Sequence, residues 1–252
     1  RATGHESAFV LQPSNANADW RFRFFVPQHE MEMCGHATVG TLWAMRQWGL
    51  WTSPVARIET LSGVVEAEWD ERGQCVWVSQ PAVRATVLPP QDATRVAAVL
   101  GLEGDSIPAM ANASTSRVKT LVPMRNVISL HSLRPDFSAM EALCLSIDST
   151  GLYPYAFGDA NDAVEPVLVA RQFPRASGYP EDAATGIAAA ALWGHLAANG
   201  EIPVGTAMAP ITCTVRQGEA MGRPSAIAVR ARFTGQVGHT GCWLSGNVAW
   251  ST

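Results

Sequence analysis

Polar and apolar residues alternate in Trp20-Arg21-Phe22-Arg23-Phe24-Phe25 ahead of Pro27, the two-residue period of a strand with one buried face. The same period, broken by Gly, Asp and Arg-Gly turn signals, predicts strands over Ser7 to Leu11, Ala56 to Leu61, Val64 to Trp69 and Cys75 to Gln80. One segment breaks this pattern. From Ala37 the apolar residues Val39, Leu42, Trp43, Met45 and Trp48 crowd most sides of a helix, and Gly49 stands where its C-cap belongs. Ahead of all this, Arg1 to Glu6 reads as the tail of a helix closed by Gly4.

Pro81 and Pro89-Pro90 end the strand series, and a helix is expected over Asp92 to Leu100. The Gly-, Ser- and Asn-containing segment Gly101 to Ser116 then marks a boundary, dividing the chain into 1–115 and 116–252, with the last strand free to cross back to the first half. The second half repeats the order of the first. Strands are expected around Val118 to Val122 and Val127 to Leu130, a helix over Asp136 to Leu145, and strands to Leu152-Tyr153 and over Val167-Leu168-Val169. Arg171-Gln172-Phe173-Pro174 and a second apolar helix come next.

Arg23 and Phe25 are thus matched by Arg171 and Phe173, and Leu42-Trp43 by Leu192-Trp193, each roughly 150 residues further on. This spacing suggests a diverged duplication whose second helix carries about one extra turn. If the halves are equal, the first lacks roughly thirty residues at its N-terminus, a strand and a helix.

The chemistry gathers at two turns. Glu30-Met31-Glu32-Met33-Cys34-Gly35-His36-Ala37-Thr38-Val39-Gly40 leads into the first apolar helix, and Glu181-Asp182-Ala183-Ala184-Thr185-Gly186-Ile187 leads into the second. A glycine or small residue just ahead of a helix lets backbone N–H groups point outward, and the positive end of the helix dipole favours an anion there. Cys34, Gly35 and Ala37 on one side, and Thr185, Gly186 and Ile187 on the other, therefore form a candidate cradle for a small carboxylate between two halves.

Composition narrows the partners. The 252 residues are 47% hydrophobic and 16% charged, with a net charge of -4, so no basic footprint points to nucleic acid or an anionic membrane. No apolar run is long enough to cross a bilayer, and no signal-peptide pattern opens the chain. Five scattered cysteines without a CxxC pair favour a reducing cytoplasm over a disulfide framework or structural zinc. His29, Cys34 and His36 lack a further ligand, and no metal is assigned to them.

Gly4-His5-Glu6-Ser7-Ala8-Phe9-Val10, Arg23-Phe24-Phe25-Val26-Pro27 with Glu30, Cys34-Gly35-His36-Ala37-Thr38, Glu181-Asp182-Ala183-Ala184-Thr185-Gly186, Gln217-Gly218 with Met221-Gly222-Arg223-Pro224-Ser225, and Ser245-Gly246-Asn247 together resemble the phenazine-biosynthesis isomerase (PhzF-like) family. The resemblance spans nearly the whole chain. It implies an α+β diaminopimelate-epimerase-like fold, two pseudo-symmetric domains in which an antiparallel sheet wraps a central helix. It also implies a homodimer without a cofactor, an active site in the interdomain cleft, and a small carboxylate substrate. In that family the glutamate at the position of Glu6 exchanges the proton on a dihydro-hydroxyanthranilate ring, and the positions of His36 and Asp182 line the same site.

The residues themselves fit these roles. A carboxylate shuttles a proton when a cleft raises its pKa toward neutrality, which suits Glu6 between a helix end and a strand start. An imidazole at a helix N-terminus has its protonated form disfavoured, so His36 is suited to donate a hydrogen bond while neutral. Asp182 either orients a substrate group or caps the helix after it. Cys34 raises a competing class, since Met33-Cys34-Gly35-His36 also resembles the proline-racemase and diaminopimelate-epimerase families, which use a pair of thiolates. The position matching Cys34 in the second turn is about Ala183 and carries no sulfur. Ile187, where the phenazine enzymes often have Ser, and His5, in place of a Ser, leave the substrate itself open. A ligand-binding protein without catalysis on the same fold is the reading from another class.

Overall fold

The computed structural model describes residues 7–25, 29–102, 107–158, 165–234 and 239–250. The elements up to residue 80 are β1 (Ser7–Leu11), β2 (Trp20–Phe25), β3 (Glu30–Met31), α1 (Gly35–Gln47), β4 (Val55–Thr60), β5 (Gly63–Asp70) and β6 (Cys75–Gln80). Then come β7 (Arg84–Val87), α2 (Pro90–Leu100), β8 (Ala111–Ser114), β9 (Lys119–Pro123), α3 (Val127–Ser132), α4 (Phe137–Ser146), β10 (Gly151–Phe157), β11 (Val167–Ala170) and β12 (Phe173–Pro174). The chain closes with α5 (Gly186–Ala198), β13 (Thr212–Gln217), β14 (Ser225–Phe233) and β15 (His239–Gly246).

One sheet runs through the molecule in the order β1-β2-β4-β5-β6-β15-β14-β13-β11-β10-β9-β8-β7, with β3 beside β2 and β12 beside β10. Most neighbours are antiparallel; β2–β4, β9–β10 and β11–β13 are parallel. β15 lies between β14 and β6 and joins the two ends of the sheet.

Each end curls round a helix. Leu42 and Met45 of α1 pack with Phe22, Phe24, Ile58 and Val78. Around α5 the wall is Leu121, Tyr153, Leu168, Val215 and Val229. α5 can be enclosed because its side chains are short: Ala188 to Ala191 are fully buried, and a Cβ on Gly194 would come within 2.8 Å of Val83. A third cluster places α2 and α4 on the outer face of the second end, against Val122, Leu152 and Val169. Leu121 and Val122 on β9 therefore face two different cores, as the two-residue period of a strand buried on both faces requires. The α+β class and the arrangement of a sheet wrapped on a helix agree with the expectation.

The clusters change hands after β6, so α2 and β8 share their cores with the second half of the chain and β7 pairs with β8, upstream of the junction expected near residue 115. Three local readings differ from the structure. Val127–Ser132 is a helix rather than a strand, started by the Asn126 side chain, which accepts from the Ser129 N–H at 2.8 Å; a short apolar run carries no period that separates the two. α2 begins at Pro90, whose missing N–H costs nothing at the first helical position. α1 and α5 both have 13 residues, so the second helix has no extra turn. The added residues lie before it: seven positions separate Arg23 from Glu30, ten separate Arg171 from Glu181.

Candidate active site

The two motif turns lie where α1 and α5 begin, and the helices meet there. A Cβ built on Gly35 would lie 3.7 Å from the Cα of Gly186, and both positions press on the same methyl of Leu244, at 3.0 and 2.6 Å. Leu244 comes from β15, the strand that joins the two ends of the sheet. Glycine at both helix starts is what lets the backbones approach this closely.

Neither start is capped by a side chain. Cys34 and Thr185 occupy the N-cap positions without a side-chain cap bond, and neither first turn holds an acidic residue. Helices begin with N–H groups that have no partner inside the helix, and the dipole concentrates positive potential there. The backbone of Gly35, Ala37, Gly186 and Ile187 thus presents donors toward one place, which suits a carboxylate.

Each turn is held by an arginine clamp. Arg23 Nε and Nη2 bond the two oxygens of Glu30 at 2.8 and 2.7 Å, and Arg171 does the same to Glu181 at 2.9 and 2.7 Å. Arg23 also lies over the ring of Phe25, and Arg171 over that of Phe173. Two Arg-x-Phe strands with the same bidentate partner support the internal repeat. Aligning the clamps and helix starts pairs Cys34 with Thr185, not with Ala183. Either way the second turn offers no thiol to match Cys34.

The second turn is tied further. The Asp182 carboxylate accepts from the Thr185 hydroxyl at 2.6 Å and from the Ala184 N–H at 3.4 Å. Asp182 therefore braces the turn and does not serve as the N-cap of α5, where Thr185 stands. Gln217, fully buried on β13, donates to the Asp182 carbonyl at 2.7 Å and to the Thr185 hydroxyl at 3.1 Å, and accepts from the Tyr153 hydroxyl at 2.9 Å. Ser225 donates to the Ala183 carbonyl at 2.7 Å. Gly218 has φ +79, and a Cβ there would meet the backbone of Ala183 and Arg223. Gln217, Gly218 and Ser225 are visible in the sequence only as parts of a resembling motif; their work as a brace needs the fold.

His36, one residue into α1, is exposed, and Cys34 is buried. The Cys34 sulfur lies 3.8 and 3.7 Å from the two ring nitrogens of His36. Near-equal distances mean that the sulfur is not in line with either nitrogen's lone pair, so this contact is not a directed thiol–imidazole bond. Glu6 lies outside the described residues. Beside Met33 opens a hollow of about 870 Å³, whose wall also includes Gln80, Thr115, Ser116 and Arg232. Of the two motifs only Met33 lines it. No group of three metal-ligating side chains occurs among the described residues, all five cysteines are free thiols, and no described helix is long and apolar enough to cross a membrane.

Residues 2–249 match the family model described as phenazine biosynthesis-like protein. The chain is 32% identical over 233 residues to the trans-2,3-dihydro-3-hydroxyanthranilate isomerase of Pseudomonas aeruginosa, covering 92% of this chain and 77% of that protein. It is 31% identical over 240 residues to an uncharacterized isomerase of Deinococcus radiodurans, covering 91% and 74%. In structure it resembles a PhzF-family phenazine biosynthesis protein of Bacillus anthracis, with a TM-score of 0.79 at 24% identity over 97% of this chain and 82% of the other. A probable proline racemase of Agrobacterium radiobacter shares the fold at a TM-score of 0.65 and 14% identity, covering 96% and 72%. By its sequence along nearly its whole length, and by the two paired turns that its fold brings together, this chain belongs to the phenazine biosynthesis-like family of isomerases and their relatives.

Proposed function

We propose that this chain is a cofactor-independent isomerase that moves a proton between two atoms of a small carboxylate-bearing substrate. The observation that carries the proposal is the meeting of two uncapped helix starts at Gly35 and Gly186. Their N–H groups hold the substrate carboxylate in place, and fixed donors of this kind need no rearrangement as charge develops in the transition state.

Around that anchor His36 donates a hydrogen bond from its exposed imidazole, and Asp182 orients a polar group of the substrate from the braced turn. Glu6, on the strength of the family resemblance, takes the proton from one carbon and returns it to another, ending the cycle in the form in which it began. The activity named for the Pseudomonas relative, an isomerase of a dihydro-hydroxyanthranilate, supports this class of reaction. Ile187, the second residue of α5, is proposed to select the substrate's shape. The resemblance also supports a homodimer in a cytoplasmic setting, and light scattering of the purified chain tests the dimer.

Incubation in deuterated water with candidate cyclic and amino carboxylates is the deciding experiment. The substrate should gain one deuterium, Glu6→Gln should lower turnover by roughly 10²–10⁴-fold, and Cys34→Ala should retain exchange. Loss of exchange in Cys34→Ala with retention in Glu6→Gln would assign the chemistry to the thiol. Tight binding with no exchange across the panel would leave a ligand-binding protein.

A further inference from the structure

The chain uses arginine for seventeen of its eighteen basic residues; its only lysine is Lys119. That lysine is 5% exposed. A residue type used once in the whole chain, and there in the interior, is placed for what arginine cannot supply, a compact ammonium on a flexible stem.

Its position is set by register. Lys119 opens β9 two residues before Leu121, which faces α5, so both side chains point to the α5 side. Leu121 pairs with Tyr153 on β10, and two positions back along the parallel strands Lys119 lies beside Gly151. Gly151 has no side chain there, and the space is taken by Gln172: a Cβ on Gly151 would lie 2.5 Å from the Gln172 amide nitrogen. Gln172 in turn bridges Asp182, whose N–H bonds the Gln172 carbonyl at 3.0 Å, and residues opposed in an antiparallel bridge direct their side chains to the same face. Lys119, Gln172 and Asp182 therefore converge at the start of α5.

The convergence is unsatisfied. Gln172 is 1% exposed, and neither its amide nitrogen nor its amide oxygen has a hydrogen-bond partner among the described residues. No hydrogen bond or ion pair joins the Lys119 ammonium to any described residue. Arg117 and Arg175 add positive charge nearby, and Asp182 is the carboxylate that offsets it. Burial, then the Arg117 charge, pushes the Lys119 ammonium down to about 8, which still leaves it mostly charged at neutral pH. An ammonium this deeply buried, offset only by Asp182 at longer range, is held at a cost that an arriving anion reduces. Arg117 also reaches across to Glu32 at 3.3 Å, directly ahead of the α1 turn, so this corner belongs to the same cleft.

We propose that Lys119 and the Gln172 amide form a second anion subsite, beside Asp182, and that the preferred substrate is a small dicarboxylate held at the helix starts by one carboxylate and at Lys119 by the other. This rests on the carboxylate cradle proposed above.

Calorimetric titration of the purified chain with butyrate and with malonate, succinate, glutarate and adipate tests it. At least one dicarboxylate should bind ten-fold or more tightly than butyrate. Lys119→Met should abolish that preference and change butyrate affinity less than two-fold, and it should melt at a higher temperature than the parent, which shows that it folds. Gln172→Leu should weaken the same dicarboxylate several-fold. With ¹³C-lysine labelling a single ε-methylene resonance reports the ammonium, and its titration midpoint should rise with the dicarboxylate and not with butyrate. Butyrate binding without any gain from a second carboxylate overturns the subsite and leaves the cradle standing. A dicarboxylate preference that survives Lys119→Met overturns it as well. Binding of none of the acids overturns both.

Discussion

Gly35 and Gly186 stand face to face at the starts of the two central helices, close enough that a Cβ on the first would lie 3.7 Å from the Cα of the second, with the tip of Leu244 wedged beside both. This contact joins the halves of the molecule at the place where the helix dipoles converge. Gly186→Ala sets a methyl 2.6 Å from the buried Leu244 methyl. The expected loss is about 1–3 kcal/mol of stability, with weaker carboxylate binding. Leu244→Ala alone should cost about 2–5 kcal/mol. Because the two residues share one space, the double variant should be less destabilised than the sum, as urea unfolding of all four proteins will show.

The paired clamps separate geometry from burial. Arg171–Glu181 and Arg23–Glu30 have the same bidentate form, but the first pair has side chains 9% and 9% exposed, the second 40% and 23%. Arg171 also donates to the carbonyls of Leu130, His131 and Leu133. Glu181→Gln leaves a buried guanidinium without its counter-charge and should cost about 3–5 kcal/mol. Glu30→Gln should cost far less, because that pair lies open to solvent, which screens it. Equal losses in thermal or urea unfolding would contradict the burial argument.

Gln217 is the brace whose removal should reach the active site without touching substrate. Gln217→Leu removes two donated bonds to the Asp182–Thr185 turn and takes away the acceptor of the buried Tyr153 hydroxyl. A loss of about 2–4 kcal/mol is expected from the broken bonds and the buried hydroxyl. If Asp182 acts only in the positioned turn, turnover should fall in step with Asp182→Ala, and the two losses should not add in the double variant.

Lys119 makes a signed prediction with pH. Its folded value, about 8, lies below the usual 10.5. Below pH 8 the ammonium is charged both folded and unfolded, and the folded state carries the full penalty, about 3–4 kcal/mol. Between pH 8 and 10.5 the unfolded chain holds the proton that the folded chain has lost, so this contribution raises stability with pH. Burial pushes Cys144 up to about 11, and Cys213 and Cys242 up to about 12, which works the other way: their stabilisation is lost as pH rises past about 9. The difference between parent and Lys119→Met isolates the lysine. Lys119→Met should be the more stable protein at pH 7, and its advantage should disappear by pH 10.5. An advantage constant with pH would mean that the ammonium does not titrate in this range.

Local pattern in the chain determined most of the elements. Trp20–Phe25 reads as a strand and Gly35–Gln47 as a helix because one period places each buried face, and the Gly49 and Asp136 end signals are local chemistry. The two turns, their glycines and His36 are legible for the same reason, since a helix N-terminus and its partial charge are made by adjacent residues. Val127–Ser132 resembles a strand in sequence because six residues carry too little period, and the Asn126 side chain decides for the helix.

Tertiary structure alone decided what stands opposite what. The meeting of Gly35 with Gly186 beside Leu244, the Gln217 brace and the approach of Lys119 to Gln172 and Asp182 join residues dozens to hundreds of positions apart. Such contacts are set by strand order and register, and one residue of slip would turn every side chain of a strand to its other face. The sequence held a single lysine in plain view; only the fold shows that it is buried beside the α5 turn, with Asp182 as the carboxylate that offsets its charge.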